Sequence, residues 1–323
     1  MNRSPRRRVR TVGALAVTGA LALAGCGSSD DDKDADSGDT HVVKTAMGDV
    51  KVPVAPERVV VLDTAELDSA LTLGVKPVGA THTDASGGGF PGYLPKDELA
   101  GVKDVGEMMN PNLEAIAGLK PDLILTSKIR HGAKYDQLKQ IAPTVMTETT
   151  GYPWKENFRT HADALGRKAA AKKAVAAYDA HVKEVTAAIG GPAKAKATEV
   201  NVVRFVQGAD IRIYGEQSYI ATILKDVGLG RAPISQKAKD GFSYDVSPEK
   251  IDLADTDVIF QSTYGDPKKA KQTQTVNSGL WKNMRAVKSG NVHVVNDELW
   301  IQGIGYTAAD KILDELKADL TKK

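Results

Sequence analysis

The 323-residue sequence predicts an α/β protein of two lobes, each with a mainly parallel sheet, joined by one long α-helix. Three observations lead there. Apolar runs of strand length alternate with helical patterns in both halves of the chain, as expected for parallel sheets covered on both faces. The middle segment, 154–190, has no Pro and carries a single apolar stripe. A short element occurs twice, once in each half.

In the first half, 59–63 (VVVLD), 77–80 (PVGA), 122–127 (DLILTS) and 144–148 (TVMTE) read as strands, with helical patterns near 66–73, 113–119 and 135–141. In the second half the strands are 199–206 (EVNVVRFV), 211–215, 257–263 (DVIFQST) and 291–297 (NVHVVND), with helices near 219–227 and 308–320. Between them, Val175, Tyr178, Val182, Val185 and Ile189 recur at spacings of 3, 4, 3 and 4, one face of a helix. Ala and Lys, both good helix formers, fill much of the rest, and Gly166 is the one interior glycine. A helix over 154–190 would span roughly 50 Å, long enough to join two lobes. Gly190-Gly191-Pro192 ends it.

The repeated element opens at Glu114 (EAIAGLKPDLI) and at Glu249 (EKIDLADTDVI). Each copy has Ile two positions on (Ile116, Ile251) and Asp eight on (Asp122, Asp257), with a strand beginning at once. A proline, Pro111 or Pro248, precedes each. The expected boundaries are therefore an N-terminal lobe at 41–153, a spine helix at 154–190 and a C-terminal lobe at 191–323.

Ahead of the lobes lies MNRSPRRRVR, with five Arg and no acid, then an uncharged run over 11–24. A membrane span needs roughly 20 apolar residues, so 1–25 reads as a secretory signal peptide. Cys26 follows and is the only cysteine. It has no disulfide partner and no nearby His to activate it. The residues Leu23-Ala24-Gly25-Cys26 resemble the lipobox of bacterial lipoproteins. The resemblance implies lipidation of Cys26 and anchoring to the outer face of the cytoplasmic membrane. Residues 26–40, with six Asp, bury too little apolar area to fold and read as an acidic flexible tether. The paired arginines also permit twin-arginine export.

Removing 1–25 takes away five Arg and no acid, moving the formal charge from +2 to −3. A mildly acidic mature chain speaks against nucleic acid as partner. Nucleophile elbow, P-loop, dinucleotide fingerprint, H-E-x-x-H and C-x-x-C are all absent from the sequence. The six His (41, 82, 131, 161, 181 and 293) never stand at paired ligand spacing, so no resident metal or cofactor is expected. The loop from Gly87 to Gly92 lacks the Lys and Ser/Thr of a phosphate cradle. The chain reads as a binding protein; a surface enzyme on a two-lobed scaffold is the alternative, and turnover of a bound ligand separates the two.

The segments GDVKVPVAPERVVVLD, VGEMMNPNLEAIAGLKPDLILTSK, DVSPEKIDLADTDVIF and WKNMRAVKSGNVHVVNDELWIQG resemble the substrate-binding proteins of iron–siderophore ABC transporters. The likeness covers essentially all of 41–323. It implies the class III periplasmic binding protein fold, two Rossmann-like lobes on a single helix. It also implies an extracytoplasmic monomer that hands a ferric siderophore to an ABC permease, with the iron held by the siderophore. Cobalamin and haem binders share the fold, so the fold does not fix the ligand. Glu114 and Glu249 match positions where the family docks onto arginines of the permease.

The ligand site is expected between the lobes, at the carboxyl ends of the strands. Arg130 follows one strand, and Arg204 sits inside another among residues too apolar for a solvent-facing surface. A buried Arg is costly unless paired, which makes it a candidate for binding chelate oxygens. Trp154, Tyr214, Phe242, Tyr264 and Trp300 fall where family members place cleft aromatics, and Trp281 is assigned to the core. Some hydroxamate binders carry Arg just before the P-N-L-E turn, where this chain has Met108-Met109. With few cleft arginines, a hydroxamate of the desferrioxamine type is the expected ligand.

Overall fold

The computed structural model describes residues 39–83 and 88–321. The signal peptide, Cys26, most of the acidic tether and Gly87 lie outside the described residues. The first sheet runs β6-β5-β4-β3-β7-β8, and it is parallel except for its β5–β6 edge. Its strands are β3 (Val59–Val61), β4 (Gly79–His82), β5 (Lys103–Glu107), β6 (Asn110–Pro111), β7 (Leu123–Ser127) and β8 (Thr144–Thr147). All residues of β3, β7 and β8 are buried, which is why these runs carry no charge and do not alternate between apolar and polar. A separate antiparallel hairpin, β1 (Thr40–Thr45) with β2 (Gly48–Pro53), precedes them.

The second sheet runs β12-β10-β9-β13-β14, with β11 also paired to β9. Here β9 is Glu199–Val206, β10 Ile211–Tyr214, β11 Gly230–Arg231, β12 Ser243–Val246, β13 Val258–Tyr264 and β14 Val292–Val294. The β11, β13 and β14 pairings are parallel, whereas β9–β10 and β10–β12 are antiparallel. Trp281 is buried in this lobe's core, as assigned.

The repeated element does the same work twice. Ile116 and Ile251 are both fully buried. Asp122 accepts the Glu57 and Arg58 backbone N–H groups at 2.7 and 2.9 Å, beside β3. Asp257 accepts the Glu199 N–H at 3.0 Å, at the start of β9. In each lobe the repeated Asp fastens the strand it precedes to that strand's parallel neighbour.

The helical stretch 154–190 divides into Trp154–Ala164 and Lys168–Ala188, a correction to the unbroken spine. Gly166 has φ 65°, and the Val54 carbonyl from beside the N-terminal hairpin occupies the place of a side chain there. A left-handed residue cannot continue a helix. The long connecting helix is thus 21 residues, about 30 Å. Its stripe is placed as read: Tyr178 and Val185 are buried, and Val175, Val182 and Ile189 pack against the same core. Gly190, also left-handed, ends it.

The chain returns to the first lobe near its end. Asp68, on the helix Thr64–Thr72, accepts the Thr307 and Ala308 N–H groups at 3.1 and 3.0 Å, capping the C-terminal helix Tyr306–Thr321. Gly305 is required there, because any side chain would meet Asp68. Thr64 Oγ1 donates to the Gln302 carbonyl at 2.8 Å, and Glu298 accepts the Gly92 N–H at 2.9 Å.

Candidate functional site

Between the lobes lies a cavity of about 920 Å³. The first lobe lines it with Thr64 after β3, Thr83 after β4, Arg130 after β7 and Thr149 to Pro153 after β8. The second contributes Arg204 and Val206 from β9, Arg212 and Tyr214 from β10, Phe242 before β12 and Tyr264 at the end of β13. Parallel strands of one direction end together, which gathers side chains from distant segments at one edge.

Arg130 Nε donates to Asp63 Oδ2 at 2.8 Å, and Asp63 Oδ1 accepts the Thr64 N–H at 2.6 Å. Asp63 is buried, so its carboxylate is fixed between a helix N-terminus and one guanidinium. The Asp63 charge raises the pKa of Arg130. Met109 Sδ lies 3.9 Å from Nη1, and Met108 reaches the cavity wall.

Arg204 meets Asp297 through two hydrogen bonds of 2.6 Å, from Nε and Nη2. Asp297 also accepts from Ser262 and Gln302, each at 2.9 Å. Burial works against the Arg204 charge, but the hydrogen bonds and charges of Asp297 and Tyr214 together outweigh it, so the pKa moves up. The Tyr264 ring lies 5.0 Å from the guanidinium carbon, in cation–π range. Tyr214, its hydroxyl 3.5 Å from Nη1, is pushed up by burial and stays neutral. Phe242 crosses it edge-on at 5.4 Å and is itself exposed at the mouth.

Arg212 was not among the expected residues. It stands directly across the β9–β10 ladder from Arg204, and both line the cavity. Like charges directly opposite on a sheet repel. Asp245 approaches Arg212 only to 4.0 Å, and its Nε is buried with no hydrogen-bond partner. The sequence signal was faint, since Arg in I-R-I-Y takes the polar place of an alternating strand.

Arg130, Arg204, Tyr214, Phe242, Tyr264 and Trp300 meet at this one cavity. Trp300 is fully buried, its indole stacked on Phe260 at 4.6 Å and bonded to Glu315, so it backs the wall. Trp154 lies elsewhere, a correction of place. It packs against Tyr178, Tyr219 and Tyr306 at 4.6 to 5.8 Å, and its Nε1 donates to Thr222 at 2.8 Å. Those partners tie its helix to the connecting helix, to the helix Tyr219–Val227 and to the C-terminal helix, and Trp154 lines a neighbouring cavity. Glu114 and Glu249 are exposed in the first turns of Leu113–Gly118 and Pro248–Ala254, one on each lobe and neither on the cavity. The Glu249 pKa is lowered by its backbone amide and the Ser247 hydroxyl.

Among the described residues, no group of His, Cys, Asp and Glu is arranged to hold a metal, and no helix is long and apolar enough to cross a membrane. A cleft between two α/β lobes, walled by arginines and aromatics, defines a bilobal ligand-binding receptor. The chain belongs to the periplasmic binding protein family, whose sequence model matches residues 59–299. This is a family of binding proteins rather than enzymes. The chain is 38% identical over 314 residues to the probable siderophore-binding lipoprotein YfiY of Bacillus subtilis, covering 94% of this chain and 95% of that one. It is 30% identical over 311 residues to the Fe(3+)-citrate-binding protein YfmC of the same organism, covering 92% of each. The crystal structure of Staphylococcus aureus SirA complexed with staphyloferrin B superposes with a TM-score of 0.78 at 34% identity, over 88% of this chain and 99% of SirA.

Proposed function

We propose that the protein is an extracytoplasmic receptor that captures a ferric siderophore in the interlobe cavity and delivers it to an ABC importer. One observation carries this reading: Arg130 from the turn after β7, Arg204 from β9 and Arg212 from β10 converge on a cavity of about 920 Å³ with aromatic walls. Guanidinium groups suit the negatively charged oxygens that surround Fe(III) in a chelate. The named ligands of SirA and YfmC are in keeping with it.

Arg212 bears on the class of siderophore. A hydroxamate was expected because few arginines were seen. A third cleft arginine, directly opposite Arg204, favours a chelate with ionised carboxylate or catecholate oxygens. The hydroxamate of desferrioxamine type is the second reading, since Asp63 and Asp297 neutralise two of the three arginines. Delivery is assigned to Glu114 and Glu249 as docking carboxylates, and anchoring to lipid on Cys26. The lobes are taken as 41–153 and 191–323, in a monomer.

The test is a tryptophan-fluorescence titration of the mature domain with ferric staphyloferrin B, a ferric tris-catecholate, ferrioxamine, cobalamin and haem. An anionic ferric chelate is expected to bind most tightly, and Arg212→Ala to weaken it by about 1–2 kcal/mol. Preference for ferrioxamine moves the ligand to the second reading. Response to cobalamin or haem alone sinks the siderophore assignment.

A further inference from the structure

A second cavity, about 1210 Å³, adjoins the first and shares Tyr152, Pro153, Gln217 and Asp240 with it. The start of the helix Trp154–Ala164, the helix Tyr219–Val227 and the segment 228–241 form its wall. Arg231, on β11, is part of that wall. Its Nη2 donates to the Tyr214 carbonyl at 2.7 Å, while Nε and Nη1 are buried with no hydrogen-bond partner. Burial lowers its pKa to about 10, so it stays charged at neutral pH.

Two of the three cleft arginines are closely paired, Arg130 with Asp63 and Arg204 with Asp297, while Arg212 has Asp245 only at 4.0 Å. Arg231 has no such partner among the described residues; the charge of Glu216 reaches it without forming a pair. A buried charge without a counter-ion is costly. The wall as a whole is balanced, with Lys155, Lys225, Lys239 and Arg231 against Glu156, Glu216, Asp226 and Asp240, but no acid pairs with the Arg231 guanidinium. Lys155 is held by Asp226 at 2.5 Å, whereas Lys225 and Lys239 have no acid partner among the described residues. Of the four acids, Asp226 is taken by Lys155 and Tyr178, Glu156 lies 3.6 Å from Arg159, Asp240 accepts the Phe242 N–H at 2.9 Å, and Glu216 acts on Arg231 through its charge without pairing with it.

We propose that this cavity is a second ligand site, taking an anionic small molecule through a carboxylate or phosphate group on Arg231, with Lys225 and Lys239 adding to the attraction. The site stands apart from the siderophore reading and from the class of chelate in the neighbouring cleft.

The test uses the mature protein without siderophore. Thermal unfolding is followed in sodium phosphate and in sodium citrate, each against sodium chloride of matched ionic strength. A saturable rise in midpoint is expected with at least one of the two anions, and its loss in Arg231→Met. No rise beyond chloride, or a rise unchanged in Arg231→Met, overturns the site. Arg231→Met also removes the bond to Tyr214, so two further measurements stand beside it. The double variant Lys225→Ala, Lys239→Ala is expected to bind the anion severalfold more weakly, and equal affinity overturns the part given to the lysines. Wild-type crystals soaked in selenate are expected to show an anomalous selenium peak within hydrogen-bonding reach of Arg231. Selenate on Arg130, Arg204 or Arg212 with none at Arg231 overturns the proposal.

Discussion

Arg204 and Asp297 form a two-pronged ion pair, both bonds 2.6 Å, in which each side chain is about nine-tenths buried. They come from distant segments, β9 and the stretch after β14, so the pair also ties the cavity wall to the returning chain. A buried pair is weak evidence of stability by itself, but breaking one leaves an uncompensated charge. Asp297→Ala is expected to destabilise the protein by about 3–5 kcal/mol in chemical unfolding. Adding Arg204→Met should restore part of that loss. A cost below about 1 kcal/mol for Asp297→Ala would mean that the pair is not closed in solution.

Asp68 supplies a dependence on pH. Burial raises its pKa from 3.8 to about 6, against the opposing pull of the Ala308 and Thr307 N–H groups. The folded state therefore holds this proton more tightly than the unfolded chain does. The contribution of Asp68 to stability declines as pH rises from about 4 to about 6, and the cost of the buried carboxylate is complete above that. Asp68→Asn does not titrate, so its stability relative to wild type should improve by up to about 3 kcal/mol between pH 4 and pH 7. Urea unfolding at both pH values decides it; a constant difference sinks the assignment.

Glu114 and Glu249 sit away from the cavity, so the docking role proposed for them can be tested apart from ligand binding. Glu114→Ala and Glu249→Ala are expected to leave siderophore affinity nearly unchanged and to reduce uptake, with the double variant worse than either. Affinity and transport are measured side by side. A variant that loses both equally has no docking role.

The proposed anchoring rests on Cys26. Mass spectrometry of the membrane-extracted protein should find a lipid-modified Cys26 at the N-terminus, and Cys26→Ala should stay uncleaved there. Any other mature N-terminus overturns the lipid anchor.

Local patterns were legible where a residue's neighbours in sequence decide its surroundings. The apolar runs of β3, β7 and β9 and the stripe from Val175 to Ile189 are of that kind. The repeat of Ile116 with Asp122 and of Ile251 with Asp257 was visible too, because both copies solve the same packing problem. What sequence could not reveal depended on partners far along the chain. The helix break at Gly166 needs the Val54 carbonyl; the burial of Trp154 needs Tyr219 and Tyr306. Arg212 looks like an ordinary polar strand residue until β10 lies beside β9 and sets it against Arg204. Asp63 and Asp297, which hold the two expected arginines, follow strands without any local sign of their task.

The double passage of the chain between its lobes has a mechanical consequence. A body hung from one rod can bend and also twist. Here the helix Lys168–Ala188 runs alongside the helix Tyr306–Thr321, whose first turn is pinned to Asp68. Two rods side by side resist torsion, leaving bending about one axis as the soft coordinate. A protease cut in the connecting helix alone should therefore leave the halves associated in gel filtration, and a permease touching both lobes would sense one angle rather than a free swivel.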